Sequence, residues 1–182
     1  MVLSDGEIWE ALATGEVEID PFPEGVARNA IQPSSIDLRL HGLLRRQSSA
    51  PVRGIEIYPP DLDVTDFINR FTDPEDITTG GEFLLRPGNF VIGKTLERVR
   101  LPLGIAGRVE GKSSLARLGV AVHITAPKID PEFNNNITLE IFNLGPFTVK
   151  LKQGMNVCVL ILERLGRPAQ RGYGGQFQGT TS

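Results

Sequence analysis

The sequence has 182 residues and a net charge of −3, with acidic and basic side chains mixed along its length. That length is enough for one domain with a sizeable core, and the charge argues against a nucleic-acid surface. No apolar run approaches the ~20 residues of a membrane span, and the first residues lack the pattern of a secretory signal. The single cysteine, Cys158, lies in an apolar run that predicts a buried thiol. These features predict a reduced, cytoplasmic protein without a nucleic-acid or membrane partner.

The N-terminal segment, residues 1–15, predicts a short helix. Ser4 and Glu7 form a capping-box pattern ahead of apolar residues at helical spacing. A short strand is predicted at residues 17–19, and an alternating strand at residues 35–40.

Residues 44–81 are more charged and richer in proline than the segments that flank them. We interpret them as an excursion from the sheet, partly helical at 64–71, within a single domain spanning residues 1–182. Further strands are predicted within residues 83–109 and at residues 137–142, 148–151 and 157–162. Short strands joined by Gly and Pro turns, with few helices, predict an all-β sandwich or barrel.

The stretch 111–140 concentrates the residues suited to chemistry. Ser113 is placed to cap a single helical turn that Gly119 ends, which leaves the backbone N–H groups of Ser114 and Leu115 free beside Lys112. Such a turn suits an anion, especially phosphate. Ser113 and Arg117 are four residues apart, so their side chains share one face of the turn.

Two alternating segments follow. Val120, Val122 and Ile124 are predicted on one face of a strand, and the asparagine run 134–136 predicts a turn. On the returning strand, alternation places Glu140 opposite the apolar face, toward the side chains of the helical turn.

Each of these polar residues also has an ordinary structural explanation. Lys112 alone would be explained as a solvated surface cation, although its place beside the helical turn favours phosphate binding, and Arg117 is explained as the ion-pair partner of a neighbouring carboxylate such as Glu110. Glu140 is explained by cross-strand pairing, and Asp130 by capping a proline turn. Spacing alone leaves both interpretations open.

Catalysis by a protein-bound metal is not expected. Two histidines and one cysteine cannot supply the His-x-Glu and Pro-Cys-x-x-Cys signature of zinc nucleobase deaminases. If the protein hydrolyses a substrate, a carboxylate and hydrogen bonds must activate the water.

The sequence resembles the dCTP deaminase family, within the superfamily that also contains trimeric dUTPases. The resemblance is carried by residues 32–40, 111–119, 123–126, 129–131, 138–140 and 176–179. It implies a distorted β-barrel or jelly-roll-like fold of the dUTPase type, and a homotrimer with active sites at subunit interfaces. The implied reaction converts dCTP and water to dUTP and ammonia without zinc. Mg²⁺ would bind through the triphosphate, and dTTP is a candidate inhibitor.

The resemblance also implies roles for individual residues. Glu140 would be the catalytic acid and base, Ser113 and the carbonyl of Ala126 would hold the water, and Arg117 would stabilise charge. The residues implied to bind substrate are Lys112, Ser113, Ser114, Arg117, Lys128, Asp130, Phe133, Thr138, Leu139, Glu140, Tyr173, Gln176 and Gln178. Residues 166–182 would form a flexible C-terminal lid over the phosphates.

One carboxylate can act as both base and acid if its pKa lies closer to neutrality than usual. Burial of Glu140 would raise its pKa and a nearby Arg117 would lower it, so the sequence leaves the net direction open.

The chain departs from the family pattern at Gln176 and Thr180, where a lysine and a glutamine are usual, so two expected triphosphate contacts are missing. Lys128 stands where strict deaminases often carry arginine and bifunctional deaminase-diphosphatases an aromatic residue, which favours deamination alone. Two alternatives remain. One is a bifunctional enzyme or dUTP diphosphatase in which Asp130 positions water at the α-phosphorus, and the other is a non-catalytic nucleotide-binding trimer.

Overall fold

The computed structural model describes residues 1–22, 29–48 and 56–174, and in these ranges strands predominate. The strands are β1 (Glu18–Asp20), β2 (Ile31–Gln32), β3 (Ser35–Arg39), β4 (Leu43–Gln47), β5 (Thr72–Asp76), β6 (Phe83–Leu85), β7 (Phe90–Arg100), β8 (Ile105–Gly111), β9 (Val120–Ala121), β10 (Lys128–Ile129), β11 (Asn134–Asn143), β12 (Val149–Leu151) and β13 (Asn156–Arg164). The helices are α1 (Asp5–Ala13), α2 (Val64–Phe71) and α3 (Ser113–Ala116), with a 3₁₀ turn at Pro59–Asp61. The prediction of a mostly-β chain with a short N-terminal helix is confirmed.

Two antiparallel sheets make up most of the fold. One has the strand order β10-β8-β13-β3-β2, and the other has the order β5-β4-β7-β11-β9, with β1 paired to β7. A separate pair joins β6 and β12. Neither path returns to its first strand within the described ranges, so the sheets are open and do not close into a barrel. Buried residues from both sheets form one apolar cluster.

The core forms by alternation along the central strands. Ile137, Leu139 and Ile141 on β11 are buried, as their spacing predicts. Ile36 and Leu38 on β3 are also fully buried. Their joint cluster anchors the strands that carry the candidate site.

The run of asparagines at 134–136 is part of a strand, so the prediction of a turn there is wrong. The Asn136 side-chain amide donates hydrogen bonds to the carbonyls of Thr95 and Leu96, at 3.0 and 3.1 Å. The pairing register of β11 and β7 shifts at this point. The Asn136 side chain therefore stabilises an irregular point in the pairing of β11 with β7. Composition alone predicts a loop for this segment.

Helix α1 has the predicted capping box. The Ser4 N–H donates to the Glu7 carboxylate at 2.8 Å, and the Glu7 N–H donates to the Ser4 hydroxyl at 3.5 Å. The helix predicted at 64–71 matches α2, whose N-cap Asp63 accepts a hydrogen bond from the Asp66 N–H at 3.0 Å. No helix in the described ranges has the length and apolarity needed to cross a bilayer.

The excursion at residues 44–81 contributes two strands to a sheet. Strand β4 pairs with both β5 and β7, and α2 lies between β4 and β5 in the chain. Strands β4 and β5 of this segment therefore extend the edge of the sheet, and α2 between them is the part that leaves it.

The cysteine is a structural residue. Cys158 is fully buried in β13. Burial, together with the carboxylates of Glu97 and Asp37, raises the pKa of its thiol to about 12. A thiolate nucleophile is therefore disfavoured, in agreement with the apolar sequence around Cys158.

Candidate active site

The α3 turn lies where the sequence predicts a single helical turn. Its N-cap is Lys112, with extended backbone and no side-chain capping bond, so the prediction that Ser113 caps the turn is wrong. The Leu115 N–H, predicted to be free, donates to the Lys112 carbonyl at 3.0 Å because the turn begins one residue earlier than expected. Gly119, at a φ of 87°, ends the turn as predicted.

Three polar side chains project from this turn. Ser113, Ser114 and Arg117 are all exposed. None of the three side chains forms a hydrogen bond or ion pair with the described part of the chain. Two hydroxyls and a guanidinium are therefore available to a ligand or to a second protein chain.

Lys112 is turned the other way. Its ammonium lies 2.6 Å from Oδ1 of Asp37, and the side chain is only 22% exposed. The interpretation of Lys112 as a solvated cation is therefore wrong. Asp37 was not among the predicted site residues, because strand alternation places it on the polar face of β3, where a carboxylate needs no special explanation.

Glu140 is half-buried on β11 between two fully buried residues. Burial raises the pKa of its carboxyl above the usual 4.5, although hydrogen bonds from the backbone of Ile124 and of Glu140 itself, and the nearby His123, act against the rise. This settles the direction that the sequence left open. No hydrogen bond or ion pair joins Arg117 to Glu140 in the described chain, and the backbone of Ile124 is the hydrogen-bonding neighbour of the Glu140 carboxylate.

The segment 122–127 forms one wall beside Glu140. The predicted strand there is shorter than expected, because β9 ends at residue 121 and Ile124 is 57% exposed instead of buried. The Val109 N–H donates to the Pro127 carbonyl at 2.8 Å, which attaches the end of this segment to β8. Ala126, whose carbonyl was predicted to hold water, is exposed on this wall.

His123 lies at the base of the same wall. Its Nε2 is 3.6 Å from a carboxylate oxygen of Glu110, while its Nδ1 is buried without a hydrogen-bond partner in the described residues. Glu110 therefore lies near His123 and near Arg108, at 3.8 Å, and the alternative in which it pairs with Arg117 is not observed.

A cavity of about 600 Å³ opens at the end of β10. Its walls include Lys128, Asp130, Pro131, Arg171 and Tyr173. The Lys128 ammonium lies 2.6 Å from Oδ1 of Asp130, so a cation and a carboxylate meet at the cavity mouth. Three of the predicted substrate residues thus share one cavity with Arg171, which the sequence did not single out.

The tail packs against the turn that follows Asp130. The Tyr173 N–H donates to the Pro131 carbonyl at 2.8 Å, and the Tyr173 ring lies 5.9 Å from that of Phe133. Glu132 has a left-handed φ of 62°, and its side chain occupies the space that a Cβ on Gly172 would need. Glu132 and Gly172 were both missed, because their complementarity depends on a long-range contact.

The remaining residues predicted to bind substrate differ in their exposure to solvent. Thr138 is exposed on β11 opposite Lys94 of β7, whereas Leu139 is fully buried. Leu139 can therefore contact a ligand only through its backbone. Gln176 and Gln178 lie outside the described residues.

The open two-sheet β fold, with a helical turn after β8 and a glutamate on β11, belongs to the dUTPase-type class. It is similar to a solved 2'-deoxycytidine 5'-triphosphate deaminase from Agrobacterium tumefaciens, with a TM-score of 0.67 and 24% identity over 88% of this chain and 46% of that chain. It is also similar to a mutant dUTPase from phage phi11 of S. aureus, with a TM-score of 0.50 and 12% identity over 87% of this chain and 97% of that chain. These likenesses establish the fold.

A model of a family described as dCTP deaminase-like matches residues 2–165, and the chain belongs to that family. A curated relative from Parafrankia sp., named "dCTP deaminase, dUMP-forming", is 42% identical over 181 residues, which are 99% of this chain and 84% of the relative. The "dCTP deaminase" of Rhodospirillum rubrum is 39% identical over 173 residues, or 95% of this chain and 87% of the relative. The resemblance found in the sequence is thus confirmed, and these relatives carry the names of enzymes.

Proposed function

We propose that this protein is a cytoplasmic dCTP deaminase that converts dCTP and water to dUTP and ammonia, in pyrimidine deoxynucleotide metabolism. The observation that carries the proposal is the half-buried Glu140, whose pKa is raised, beside an exposed backbone wall at 124–126. Family membership and the names of the curated relatives support the same reaction class.

Water attacks C4 of cytosine, and the reaction needs a base to accept the water's proton and an acid to protonate the ring and the leaving amine. Glu140 performs both steps in this proposal. Its raised pKa makes the protonated form more accessible near neutral pH, which is what a shuttle between base and acid requires. Ser113 and the Ala126 carbonyl hold the water, and Arg117 stabilises the developing charge.

The nucleotide lies along the cavity in this proposal. Asp130 accepts the 3'-hydroxyl, Phe133 and Tyr173 pack near the sugar, and the exposed hydroxyls of α3 meet the triphosphate. No group of three or more His, Cys, Asp or Glu side chains in the described residues is arranged to hold a metal ion. Mg²⁺ would bind through the phosphate oxygens of the nucleotide, where it neutralises charge, and the proposed reaction uses no zinc.

The active form in this proposal is a homotrimer. The α3 side chains make no polar contact within the described chain, while Glu140 lies against a different segment. A second copy that supplies α3 to the Glu140 wall completes the site, as symmetric assembly allows. dTTP, which shares the triphosphate and the deoxyribose, would compete for this site as an inhibitor.

A second candidate is the dUMP-forming reaction, in which pyrophosphate is also released. The name of the Parafrankia relative, over 99% of this chain, favours it. Lys128, which stands where bifunctional relatives often carry an aromatic residue, favours deamination alone.

Product analysis tests these proposals directly. The protein is incubated with dCTP, dUTP and CTP in parallel in magnesium buffer, and nucleotides, ammonia and pyrophosphate are measured. We expect dUTP and ammonia from dCTP, with no loss when a zinc chelator is added. Pyrophosphate in step with ammonia would establish the dUMP-forming reaction instead. Binding of dCTP without any product would overturn both and leave the non-catalytic interpretation.

A further inference from the structure

Asp37 is a buried carboxylate that the proposed chemistry does not use. It is 6% exposed on β3, and its Oδ1 lies 2.6 Å from the Lys112 ammonium. The contact is ionic without hydrogen-bond alignment, so Oδ1 lacks a hydrogen-bond donor in the described residues. Oδ2 accepts a hydrogen bond from the Asn156 amide at 3.3 Å. Asp37 is thus held from one side by an amide and from the other by the charge of Lys112.

The ion pair of Asp37 and Lys112 crosses strand β13, which lies between β3 and β8. Cys158 on β13 pairs with Leu38 of β3 on one side and with Gly111 of β8 on the other. Lys112 follows Gly111, so its side chain reaches past β13 to meet Asp37 on β3. The long aliphatic stem makes this reach possible while the ammonium ends beside the carboxylate.

Because Asp37 is buried, its carboxylate needs compensating partners. A buried carboxylate is destabilising unless a cation and hydrogen bonds compensate it, so Asp37 restricts where the Lys112 ammonium can lie. Restricting that side chain also restricts the Lys112 backbone. That backbone begins α3, because its carbonyl accepts hydrogen bonds from the N–H groups of Leu115 and Ala116 at 3.0 and 2.9 Å.

The α3 turn has few other attachments. Leu115 is the only one of its four residues that is buried. At the far end, Gly119 lies against Gly145 so closely that a Cβ added to Gly119 would overlap the Gly145 backbone. The Lys112 end is therefore fixed by charge and the Gly119 end by close backbone packing.

We propose that Asp37 is a positioning residue: through its ion pair with Lys112 it fixes α3, and with it Ser113 and Arg117. This inference rests on the proposed deaminase function for its kinetic consequences. It also gives Lys112 a role through the backbone it anchors, in place of the direct triphosphate contact that the family resemblance implied.

The test compares Asp37→Asn with a matched control, Glu97→Gln. Glu97 is also a buried carboxylate, 1% exposed and 2.5 Å from its cation Arg39, but no hydrogen bond or ion pair in the described chain joins either residue to α3. Each substitution leaves one partly buried cation without its carboxylate, so both should lower the melting temperature. We expect Asp37→Asn to lower kcat for dCTP deamination ~10-fold with less change in KM, while Glu97→Gln leaves kcat per folded protein unchanged.

Two further measurements test whether Asp37 acts through Lys112 and α3. Lys112→Met, alone and combined with Asp37→Asn, should lose no more kcat than Asp37→Asn alone, because the two residues act through one contact. Hydrogen exchange should show faster exchange at amides 115–119 in Asp37→Asn and not in Glu97→Gln.

The exchange measurement does not depend on turnover, so it judges the positioning role even if dCTP is not a substrate. Lack of turnover by the unmodified protein would count against the proposed function alone. The positioning role is overturned if Asp37→Asn matches Glu97→Gln in both kcat and exchange. It is also overturned if Lys112→Met raises KM for dCTP while Asp37→Asn does not, since Lys112 would then contact the nucleotide itself.

Discussion

Phe133 and Tyr173 lie with ring centroids 5.9 Å apart and planes inclined by 59°, so the C-terminal tail is docked on the turn that carries Asp130. The Tyr173 N–H bond to the Pro131 carbonyl adds a backbone attachment at 2.8 Å. One wall of the candidate nucleotide cavity is therefore supplied by a segment far away in sequence. We call this contact between the tail and the turn that carries Asp130 the tail junction. Its contacts should control nucleotide affinity more than the stability of the fold.

Gly172→Ala tests the tail junction. A Cβ at Gly172 would overlap Oε2 of Glu132 and lie 2.5 Å from the Glu132 Cβ, so the tail must move away from the turn. We expect KM for dCTP to rise about 10-fold, a loss of about 1.4 kcal/mol in binding, with a smaller change in kcat. Gly166→Ala is the control, because a Cβ at Gly166 would meet nothing within 4 Å. Equal KM values for both variants would show that the tail contact does not affect binding.

Glu140→Gln should abolish most of the deamination. The amide keeps the shape of the side chain but cannot accept and return a proton, and general acid–base catalysis is worth about 10²- to 10⁴-fold in rate. Ammonia release from dCTP at saturating substrate measures the loss. Glu75→Gln is the control, since Glu75 lies on β5 in an ion pair with Arg46 and outside the candidate site. A Glu140→Gln rate close to that of Glu75→Gln would remove Glu140 from the mechanism.

The same substitution should stabilise the fold. Burial raises the pKa of Glu140 above 4.5, so between 4.5 and the raised value the folded chain binds more protons than the unfolded chain, and stability falls as pH rises. Above the raised pKa this cost is fully present, and Glu140→Gln removes it. Its melting temperature should therefore exceed that of the unmodified protein at pH 8, and the difference should vanish as pH falls below 4.5.

Glu16→Gln should change the stability of the fold in the direction opposite to Glu140→Gln. The hydrogen bond from Arg164 lowers the pKa of Glu16, so its contribution to stability is present above pH 4.5 and is lost as pH falls through the lowered value. Melting curves for Glu16→Gln should show a small loss of stability at pH 8. If Glu140→Gln lost stability in the same way, its carboxylate would be stabilised by the fold and not destabilised by burial.

Sequence pattern predicted the parts of the fold that depend on local periodicity. The burial of Ile137, Leu139 and Ile141 follows from alternation with a period of two, and α1 follows from its capping residues. Long-range side-chain contacts were not predictable in this way. The ion pair of Asp37 and Lys112 depends on the order β8-β13-β3, which no local pattern encodes.

The candidate site shows the same division. The sequence predicts the position of the α3 turn from Gly119, but it also predicts Ser113 as the cap, because a serine in that position is the usual signal. The sequence could not indicate that Lys112 takes the cap position while its side chain reaches across a strand. Likewise, the direction of the Glu140 pKa shift depends on the balance between burial and nearby charge, which is set by the three-dimensional fold and not by local sequence.

Asn143 should be among the most important polar residues for stability. It is fully buried, and its amide donates to the carbonyls of Leu85 and Phe147 at 2.9 and 2.8 Å while its oxygen accepts from the Gly145 N–H at 2.9 Å. Asn143→Ala leaves three backbone groups without partners, which should cost about 2–4 kcal/mol of unfolding free energy. Urea unfolding measures this.

Asn69→Ala is the matched control for that measurement. Asn69 is exposed on α2, where alanine is a better helix former, so its unfolding free energy should change by about 0.5 kcal/mol or less. A similar small change for Asn143→Ala would mean that water or rearranged neighbours satisfy the freed groups.

The last prediction concerns the assembly. If Arg117 of one copy acts on the Glu140 site of its neighbour, then Arg117→Ala and Glu140→Gln chains are each inactive alone but complete one another. In a randomly mixed symmetric oligomer, a site is intact only when its two chains are intact at the two required positions, which gives about a quarter of normal activity for an equal mixture.

The experiment mixes the two variants under mild denaturation, refolds them together and measures ammonia release from dCTP. Recovery of activity in the mixture, with none when Arg117→Ala or Glu140→Gln is refolded alone, establishes that the site is shared between copies. A double variant carrying both changes on one chain, mixed with unmodified chains, controls for exchange of subunits. Failure of the two single variants to complement, while that control shows full mixing, would place both residues in the site of the same chain. In that case α3 would have to move toward Glu140 when nucleotide binds, because no hydrogen bond or ion pair joins Arg117 to Glu140 in the described chain.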